Sequence, residues 1–235
     1  MKLWSIGLVI YKSYNPIIVL VVLILLNKPM NDMKNFPPVV KNLLIINCIV
    51  FLAEYILPKT FLHFPLDGWM ALYFVGSPLF RVWQPVTYMF AHAGIDHLFF
   101  NMFALWMFGR ILENVWGSKR FLIYYMVCGL GAAFTQQLLQ LAGVIPPVPV
   151  VGASGAVYGL LLAFAMMYPD MPMYIIPFPF PIKAKWMVAG YTVIELIEGV
   201  LNAGNVAHFA HLGGMIFGFL LIVYWRKRNN HGWHY

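Results

Sequence analysis

Residues 152–159 read Gly152-Ala153-Ser154-Gly155-Ala156-Val157-Tyr158-Gly159, which sets a serine among glycines at the start of an apolar run that continues to Met167. Glycine permits a sharp backbone turn, and small residues allow a second helix to approach closely. A hydroxyl at the N-terminus of a helix inside a membrane is unusual and indicates a nucleophile. Serine alone is a weak nucleophile, so this hypothesis requires a base elsewhere in the chain.

The composition indicates an integral membrane protein. Of the 235 residues, 62% are hydrophobic and only 10% are charged, whereas soluble domains carry about 25% charged residues. A formal net charge of +7 suggests nucleic-acid binding in a soluble protein, but here we predict a lipid bilayer and no nucleic acid as partner. Cys48 and Cys128 both lie in apolar runs, which favours buried thiols over a disulfide framework.

Six apolar segments approach the length of about 20 residues that a membrane-spanning helix needs. Proline- and glycine-containing stretches separate them, and we find no internal repeat or second domain. We therefore predict an all-α membrane protein with six transmembrane helices, at about 40–57, 96–115, 121–142, 153–168, 185–200 and 207–225.

The basic residues orient this bundle. If the first helix begins in the cytoplasm, only Lys59 and Arg81 lie outside, and ten basic residues lie at the inner side. Such an asymmetry is the positive-inside signal, so both ends of the six-helix core are predicted to be cytoplasmic. Ser154 then faces outward, with the loops 58–95, 143–152 and 201–206. The inner residues are Lys34, Lys41, Arg110, Lys119, Arg120, Lys183, Lys185, Arg226, Lys227 and Arg228.

Residues 1–33 allow two interpretations. Ile17–Leu26 is strongly apolar but short, and no small-residue cleavage site follows it. Either this stretch forms an extra, peripheral hydrophobic helix, or Met30 or Met33 is the true start of the protein. We divide the chain into this N-terminal extension, a membrane domain at 34–228 and a cytoplasmic tail at 229–235.

The outer loop at 58–95 is too rich in aromatic residues to be a solvated linker. Tryptophan and tyrosine are enriched at the membrane interface. We expect the loop to lie in or on the outer leaflet and to contain short amphipathic helical pieces.

Two polar residues, His97 and Asn101, share one helix face because they are four positions apart. Buried polar groups in a membrane are costly unless they have partners. One interpretation is hydrogen bonding between helices. The other is a pair that stabilises an oxyanion, where one donor is typically worth about 10²–10³ in rate.

The segment Ala207–Gly218 places His211 three residues before Gly214, and Gly214 and Gly218 have the small-xxx-small spacing of closely packed membrane helices. Packing against Ser154, Gly155 and Gly159 brings His211 within hydrogen-bond reach of the serine, as a base requires. The alternative is that the glycines serve packing alone. Tyr158, one turn after Ser154, lies on the same face and is placed to pack on the His211 ring.

The remaining histidines and acids are assigned from their spacing and their position in the helices. Neither the His92/His97 nor the His208/His211 spacing matches the His-Glu-x-x-His zinc motif, so we predict no metal. We favour a structural role for His208. For Glu195 and Glu198 we favour an interfacial position or hydrogen bonds between helices, although acids inside a membrane are functional candidates by default.

Taken together, the motifs resemble those of bacterial rhomboids, the intramembrane serine proteases, over about 40–225. The resemblance rests on three motifs in family order: His92-(x)4-His97-(x)3-Asn101, Gly152-x-Ser154-Gly155 with Tyr158, and Ala210-His211-x-x-Gly214-x-x-x-Gly218. Phe108-Gly109-Arg110-x-x-Glu113 and Gly117-Ser118 also match. One departure is Trp83-Gln84, where many members have Trp-Arg; it affects the loop's contacts with lipid rather than catalysis.

The resemblance implies a six-helix fold and no cofactor. It also implies a Ser–His dyad without a catalytic Asp. Ser154 is then the nucleophile and His211 the base, and His97, Asn101 and the Ser154 backbone N–H form the oxyanion hole. His92 supports the outer loop. The substrates that the resemblance implies are membrane proteins with single transmembrane helices, cleaved near the outer leaflet of a bacterial inner membrane.

Two competing functions belong to other classes. A catalytically inactive rhomboid-like protein binds membrane helices without cleaving them, but such relatives usually lack the serine or the histidine. A small transporter with a His–Glu proton relay accounts for the acids but not for the glycine-framed serine. The sequence indicates neither the physiological substrate nor the oligomeric state.

Overall fold

The computed structural model describes residues 36–57, 65–174, 180–201 and 207–228. The chain divides into two units, Met1–Phe36 and Pro37–Tyr235, and every helix described below lies in the second. The predicted extension at 1–33, the tail at 229–235 and most of the predicted loop at 201–206 lie outside the described residues.

The described part is mainly helical. Its α-helices are α1 Pro38–Ile56, α2 Leu66–Met70, α3 Gln84–Thr87, α4 Ile95–Ala104, α5 Arg110–Trp116, α6 Ser118–Leu141, α7 Ser154–Met167, α8 Ala184–Leu201 and α9 His208–Arg228. A 3₁₀ turn, Tyr88–Phe90, follows α3. A short antiparallel pair, β1 Pro172–Met173 and β2 Ile182–Lys183, lies between α7 and α8.

All six predicted apolar segments are helical, with ends within three residues of the predicted ones. The second segment is not one regular α-helix, because a π-helical stretch, Leu105–Gly109, joins α4 to α5. Within the described residues, α1, α6 and α9 are long and apolar enough to cross a membrane, and α7 is apolar but shorter. Large apolar side chains such as Ile49 and Leu52 are exposed, as suits a helix surface that contacts lipid. The protein is therefore an integral membrane protein.

Glycines set the closest helix contacts, between α6, α7 and α9. A Cβ at Gly214 would overlap the Gly155 carbonyl oxygen, and one at Gly159 would overlap Cys128 of α6. Between membrane helices, van der Waals packing replaces the hydrophobic driving force, so small residues at such contacts hold the bundle together. Gly218 differs from the expectation: it faces the Tyr124 hydroxyl of α6 rather than α7.

The two ends of the bundle are held by different contacts. At one end the Glu113 carboxylate accepts hydrogen bonds from the backbone N–H groups of Val39 and Val40 and from the Ser118 hydroxyl. It thereby satisfies free N–H groups at the start of α1. At the other end, Leu72 and Val150 form an antiparallel bridge that fixes the outer loop to the segment before α7.

The start of α8 carries an ion-pair cluster. Asp170 lies 2.9 Å from the Lys185 ammonium and 3.0 Å from that of Lys183. The hydrogen bond from Lys185, followed by that from Lys183, holds the pKa of Asp170 below its usual value. These lysines belong to the predicted cytoplasmic set, and they lie at the end of the bundle opposite Ser154, because α7 runs from Ser154 toward Asp170.

The described part of the outer loop, from residue 65 onward, is held together around one side chain, Gln84, which is fully buried. Its Oε1 accepts hydrogen bonds from the backbone N–H groups of Tyr73 and Arg81, and its Nε2 donates to the Leu79 carbonyl. Gln84 stands where many proteins with these motifs have arginine, and in this protein it has a structural role inside the loop. The expected short helical pieces are α2 and α3.

Candidate active site

Ser154 is the first residue of α7. The chain enters the helix through Gly152, whose φ of +124° is a left-handed conformation that favours glycine. The Gly152 N–H donates to the Tyr88 carbonyl over 2.8 Å, which fixes the turn. The backbone turn therefore helps to position the serine side chain.

His211 of α9 lies beside this serine. Its Nε2 is 2.8 Å from Ser154 Oγ, and the imidazole is buried at 7% exposure. The close approach follows from the contact between Gly155 and Gly214, one residue after Ser154 and three after His211. A larger residue at Gly214 would meet the Gly155 backbone and separate the alcohol from the imidazole, whereas a Cβ at Gly155 would meet the Ala132 side chain of α6.

Tyr158 fixes the plane of the His211 ring. The two rings are stacked with centroids 4.3 Å apart and planes 8° from parallel. The Tyr158 hydroxyl donates a hydrogen bond to Oε1 of Glu195. One aromatic residue thus contacts both the imidazole and an acid on α8.

Sequence reasoning missed the position of this acid. Glu195 is 5% exposed and lies between α7 and α9. Its Oε2 is 2.8 Å from Nδ1 of His208 and 3.0 Å from Nδ1 of His211. The His211 N–H does not point at the oxygen, so Nδ1 has no aligned hydrogen-bond partner among the described residues. Glu195 therefore makes hydrogen bonds between helices, which is one of the two positions expected for it, and His208 is one of its partners.

Glu195, His208 and His211 also form a group whose ligand atoms lie within 4.8 Å of one another. The spacing of the histidines in the sequence does not indicate this group, because its third member, Glu195, lies on a different helix. Ligand atoms around tetrahedral zinc stand about 3.3 Å apart, from bond lengths of about 2.0 Å. The observed separations of 2.8 Å and 3.0 Å are those of hydrogen-bonded or ion-paired atoms, and we interpret the group in that way.

His97 lies on the other side of Ser154, on α4. The position that a Cβ on Gly152 would occupy is 2.7 Å from Nε2 of His97 and 3.6 Å from Ser154 Oγ. The imidazole therefore borders the same small space as the serine hydroxyl. Only glycine at 152 leaves room for it.

Asn101 is buried one turn after His97. Its Nδ2 donates to the His97 carbonyl oxygen over 2.9 Å, a bond within the same helix. An amide has two N–H groups, so one remains for another acceptor.

His92 lies in the loop before α4 and is buried at 5% exposure. Its ring is 5.1 Å from that of His97, in an edge-on arrangement. Its backbone N–H donates to the Glu54 carboxylate of α1 over 3.3 Å. His92 therefore connects the outer loop with both α1 and the His97 ring.

The arrangement has the parts of an acyl-transfer site. A hydroxyl is hydrogen-bonded to an imidazole, the imidazole is oriented by other groups, and a second imidazole, His97, borders the same space. Carbonyl attack by an alcohol of this kind requires these parts and no metal or organic cofactor.

Comparisons with known proteins agree with the sequence motifs. A protein-family profile described as Rhomboid domain matches residues 79–228, more than half of the chain. "Rhomboid protease GluP" of Bacillus subtilis is 32% identical over 143 residues, which are 58% of this chain and 25% of that protein. "Rhomboid protease GlpG" of Yersinia pseudotuberculosis is 26% identical over 185 residues, 77% of this chain and 62% of that protein.

A eukaryotic relative is equally similar. "Rhomboid protein 1, mitochondrial" of Saccharomyces cerevisiae is 35% identical over 133 residues, 56% of this chain and 38% of that protein. The comparisons therefore do not confirm a bacterial origin or a bacterial inner membrane. In these comparisons the chain spans about a quarter to three fifths of the length of its relatives.

Proposed function

The chain belongs to the rhomboid family, and from that premise we propose that it is an intramembrane serine endopeptidase that cleaves transmembrane segments near the outer leaflet. The observation that carries the proposal is the 2.8 Å contact between Ser154 Oγ and His211 Nε2. A transporter with a proton relay has no need of a nucleophile in that position.

We infer further that six helical segments cross the bilayer: α1, the continuous α4–α5 helix, α6, α7, α8 and α9. The predicted inner residues that the structure describes cluster at helix ends away from Ser154, and this distribution supports cytoplasmic ends for the core. Ser154 then lies near the outer leaflet. A bacterial cytoplasmic membrane is the location that we propose.

The first chemical step is attack by Ser154. His211 Nε2 accepts the hydroxyl proton as Oγ bonds to the scissile carbonyl carbon, and the carbonyl oxygen becomes an oxyanion. A histidine in hydrogen-bond contact with an alcohol is suited to this general-base role. Stacking on Tyr158 holds the ring in the required plane.

The oxyanion needs donors that are in place before the charge develops. We propose the side chains of His97 and Asn101 and the backbone N–H of Ser154 for this role. The N-terminus of α7 adds the positive end of a helix dipole at the same place.

The second half of the reaction releases the products. The His211 imidazolium protonates the leaving amine, and the peptide bond breaks to leave an acyl group on Ser154. Water then attacks the ester with His211 again as base, and the serine recovers its proton. The expected substrates are single transmembrane helices whose backbone becomes accessible near the outer leaflet.

Cleavage of a membrane-tethered reporter tests the proposal. Ser154→Ala removes the nucleophile and should lower cleavage by at least about 10³-fold, since loss of such a serine is among the largest effects known for hydrolases. Ser77→Ala, at a half-buried position of the outer loop, is the matched control and should cleave at the wild-type rate. Cleavage by the Ser154 variant at that same rate would rule out the assignment. Equal failure of the unmodified protein and the variant would favour an inactive, helix-binding relative.

A further inference from the structure

The buried carboxylate of Glu195 has a position that the proposed dyad does not explain. A charged acid in the middle of a membrane helix is costly unless it is paired. Yet Glu195 lies on α8 with its side chain directed between α7 and α9, where it meets Tyr158, His208 and His211. Its neighbours Leu196 and Ile197 are exposed on the apolar outer surface.

We propose that Glu195 is a positioning residue for His211, so that Ser154, His211 and Glu195 act as a Ser-His-Glu array. This inference rests on the proposed function and deepens it. The order of atoms is that of a triad: Ser154 Oγ is 2.8 Å from Nε2, and Glu195 Oε2 is 3.0 Å from Nδ1 of the same ring.

The hydrogen-bond partners of Glu195 define its protonation. The Tyr158 hydroxyl donates to Oε1, and His208 Nδ1 lies at hydrogen-bond distance from Oε2. An ionised carboxylate only accepts hydrogen bonds, and two donors directed at its two oxygens suit that form. These two contacts also fix the carboxylate in space, one from α7 and one from α9.

The carboxylate in turn selects the useful form of His211. Nε2 must be free of a proton to accept the one from Ser154, so the proton of the neutral ring must be on Nδ1. An acceptor-only oxygen 3.0 Å from Nδ1 favours that tautomer, because the alternative places two acceptors against each other. The N–H and the oxygen are not aligned in the free enzyme, and such catalytic contacts often tighten only when substrate binds.

Glu195 then stabilises the charge that the reaction creates. When the Ser154 proton moves to Nε2, His211 becomes an imidazolium with its Nδ1–H beside Glu195 Oε2. The proton on Nδ1 stays on Nδ1, and the carboxylate remains ionised throughout. When His211 gives its Nε2 proton to the leaving amine, the ring returns to the neutral tautomer that it had at the start.

Glu195→Gln tests this role because it keeps the shape and an acceptor for Tyr158 but removes the charge. We expect kcat to fall by about 10²-fold or more, by analogy with loss of the orienting acid in serine proteases. KM should stay within about twofold, since Glu195 does not contact substrate in the proposed mechanism. Glu195→Asp keeps the charge on a shorter side chain. We expect its kcat to be at least about tenfold higher than that of Glu195→Gln.

Glu198→Gln is the matched control. Glu198 is an acid on the same helix, 45% exposed, and it reaches His208 at 3.5 Å, but no contact with His211 is seen. This variant should keep the wild-type kcat. All variants are measured as full-length protein in proteoliposomes, with the thermal unfolding midpoint recorded for each.

The outcomes separate a positioning role from a structural one. A Gln variant with wild-type kcat overturns the inference, and so do Gln and Asp variants with equal kcat. If the Gln variant does not fold, Glu195→Asp decides the question. A tenfold loss of kcat with unchanged KM and unfolding midpoint supports the positioning role of Glu195. A wild-type kcat overturns it. If Ser154→Ala is inactive and Glu195→Gln has the wild-type kcat, the role of Glu195 is rejected and the proposed function stands. If Ser154→Ala is active, the proposed function itself is rejected.

Discussion

At the scale of single residues, the site depends on one small space beside Ser154. His211 enters it from α9 and His97 borders it from α4, while Gly152 leaves room for the His97 ring. A Cβ at position 152 would overlap the His97 ring. The turn at Gly152 is therefore as much a part of the candidate site as the side chains are.

His97→Ala tests the proposed oxyanion donor. We expect kcat to fall by about 10²–10³-fold with little change in KM, because the donor acts on charge that appears only in the transition state. The measurement is steady-state cleavage of the reporter, normalised to folded protein. Phe100→Ala, at an exposed position of the same helix, is the control and should retain activity.

A different result would restore the alternative interpretation of His97. If His97→Ala keeps wild-type kcat per folded molecule but unfolds at a lower temperature, the residue contributes only hydrogen bonds between helices.

Sequence patterns located Ser154, His211 and Tyr158 because each is tied to a local motif: glycine framing, small-residue spacing and one-turn separation. Glu195 has no such motif. Its contact with His211 depends on the rotation of α8 relative to α7 and α9, which periodicity within one helix does not specify. The only signal available was an acid within an apolar helix, and its partner was not predictable from that signal. The catalytic roles of all these residues stay predictions.

At the scale of elements, three helices meet through glycines. Gly155 and Gly159 of α7 and Gly214 of α9 have no room for a Cβ. Backbone contact of this kind maximises dispersion between membrane helices. It also sets the distance between Ser154 and His211, so packing and chemistry depend on the same contact.

Gly214→Ala should therefore destabilise the protein by about 1–3 kcal/mol, the usual cost of overpacking, and should abolish cleavage. The added methyl group meets the backbone of Gly155, which has no flexible side chain to move. Gly190→Ala is the matched control, since a Cβ there meets nothing within 4 Å and the position is exposed on α8. It should leave cleavage unchanged and should not lower the unfolding temperature, because alanine is a better helix former than glycine.

The two variants are compared by thermal unfolding in detergent and by reporter cleavage. Equal behaviour of Gly214→Ala and Gly190→Ala would show that the α7–α9 contact is looser than the structure indicates.

Helix positions were predictable because runs of apolar residues are broken by prolines and glycines. The π-helical stretch Leu105–Gly109 was not, since it arises from a shift in backbone hydrogen bonding with no single residue that requires it. Gln84 was noted as a departure, but its three hydrogen bonds within the outer loop depend on how the loop folds back on itself. Tertiary structure decides both features.

At the scale of the whole molecule, the described part of the chain has an apolar outer surface and a polar site at one end. The site is built by segments far apart in sequence, with His97, Ser154, Glu195 and His211 on four different helices. Basic residues such as Lys119 and Arg226 lie at the ends of α6 and α9 away from Ser154. This separation of the basic residues from Ser154 agrees with a reaction centre close to one face of the bilayer.

The central claim is that lipid-embedded helices bring one alcohol and one imidazole together to make a nucleophile. The most direct measurement is labelling of the membrane-embedded protein with a fluorophosphonate, followed by mass spectrometry to find the modified residue. We predict an adduct on Ser154 in the unmodified protein and a labelling rate lowered by about 10²-fold or more in His211→Asn, which removes the base. An adduct on another serine, or a Ser154 labelling rate that does not depend on His211, would contradict it.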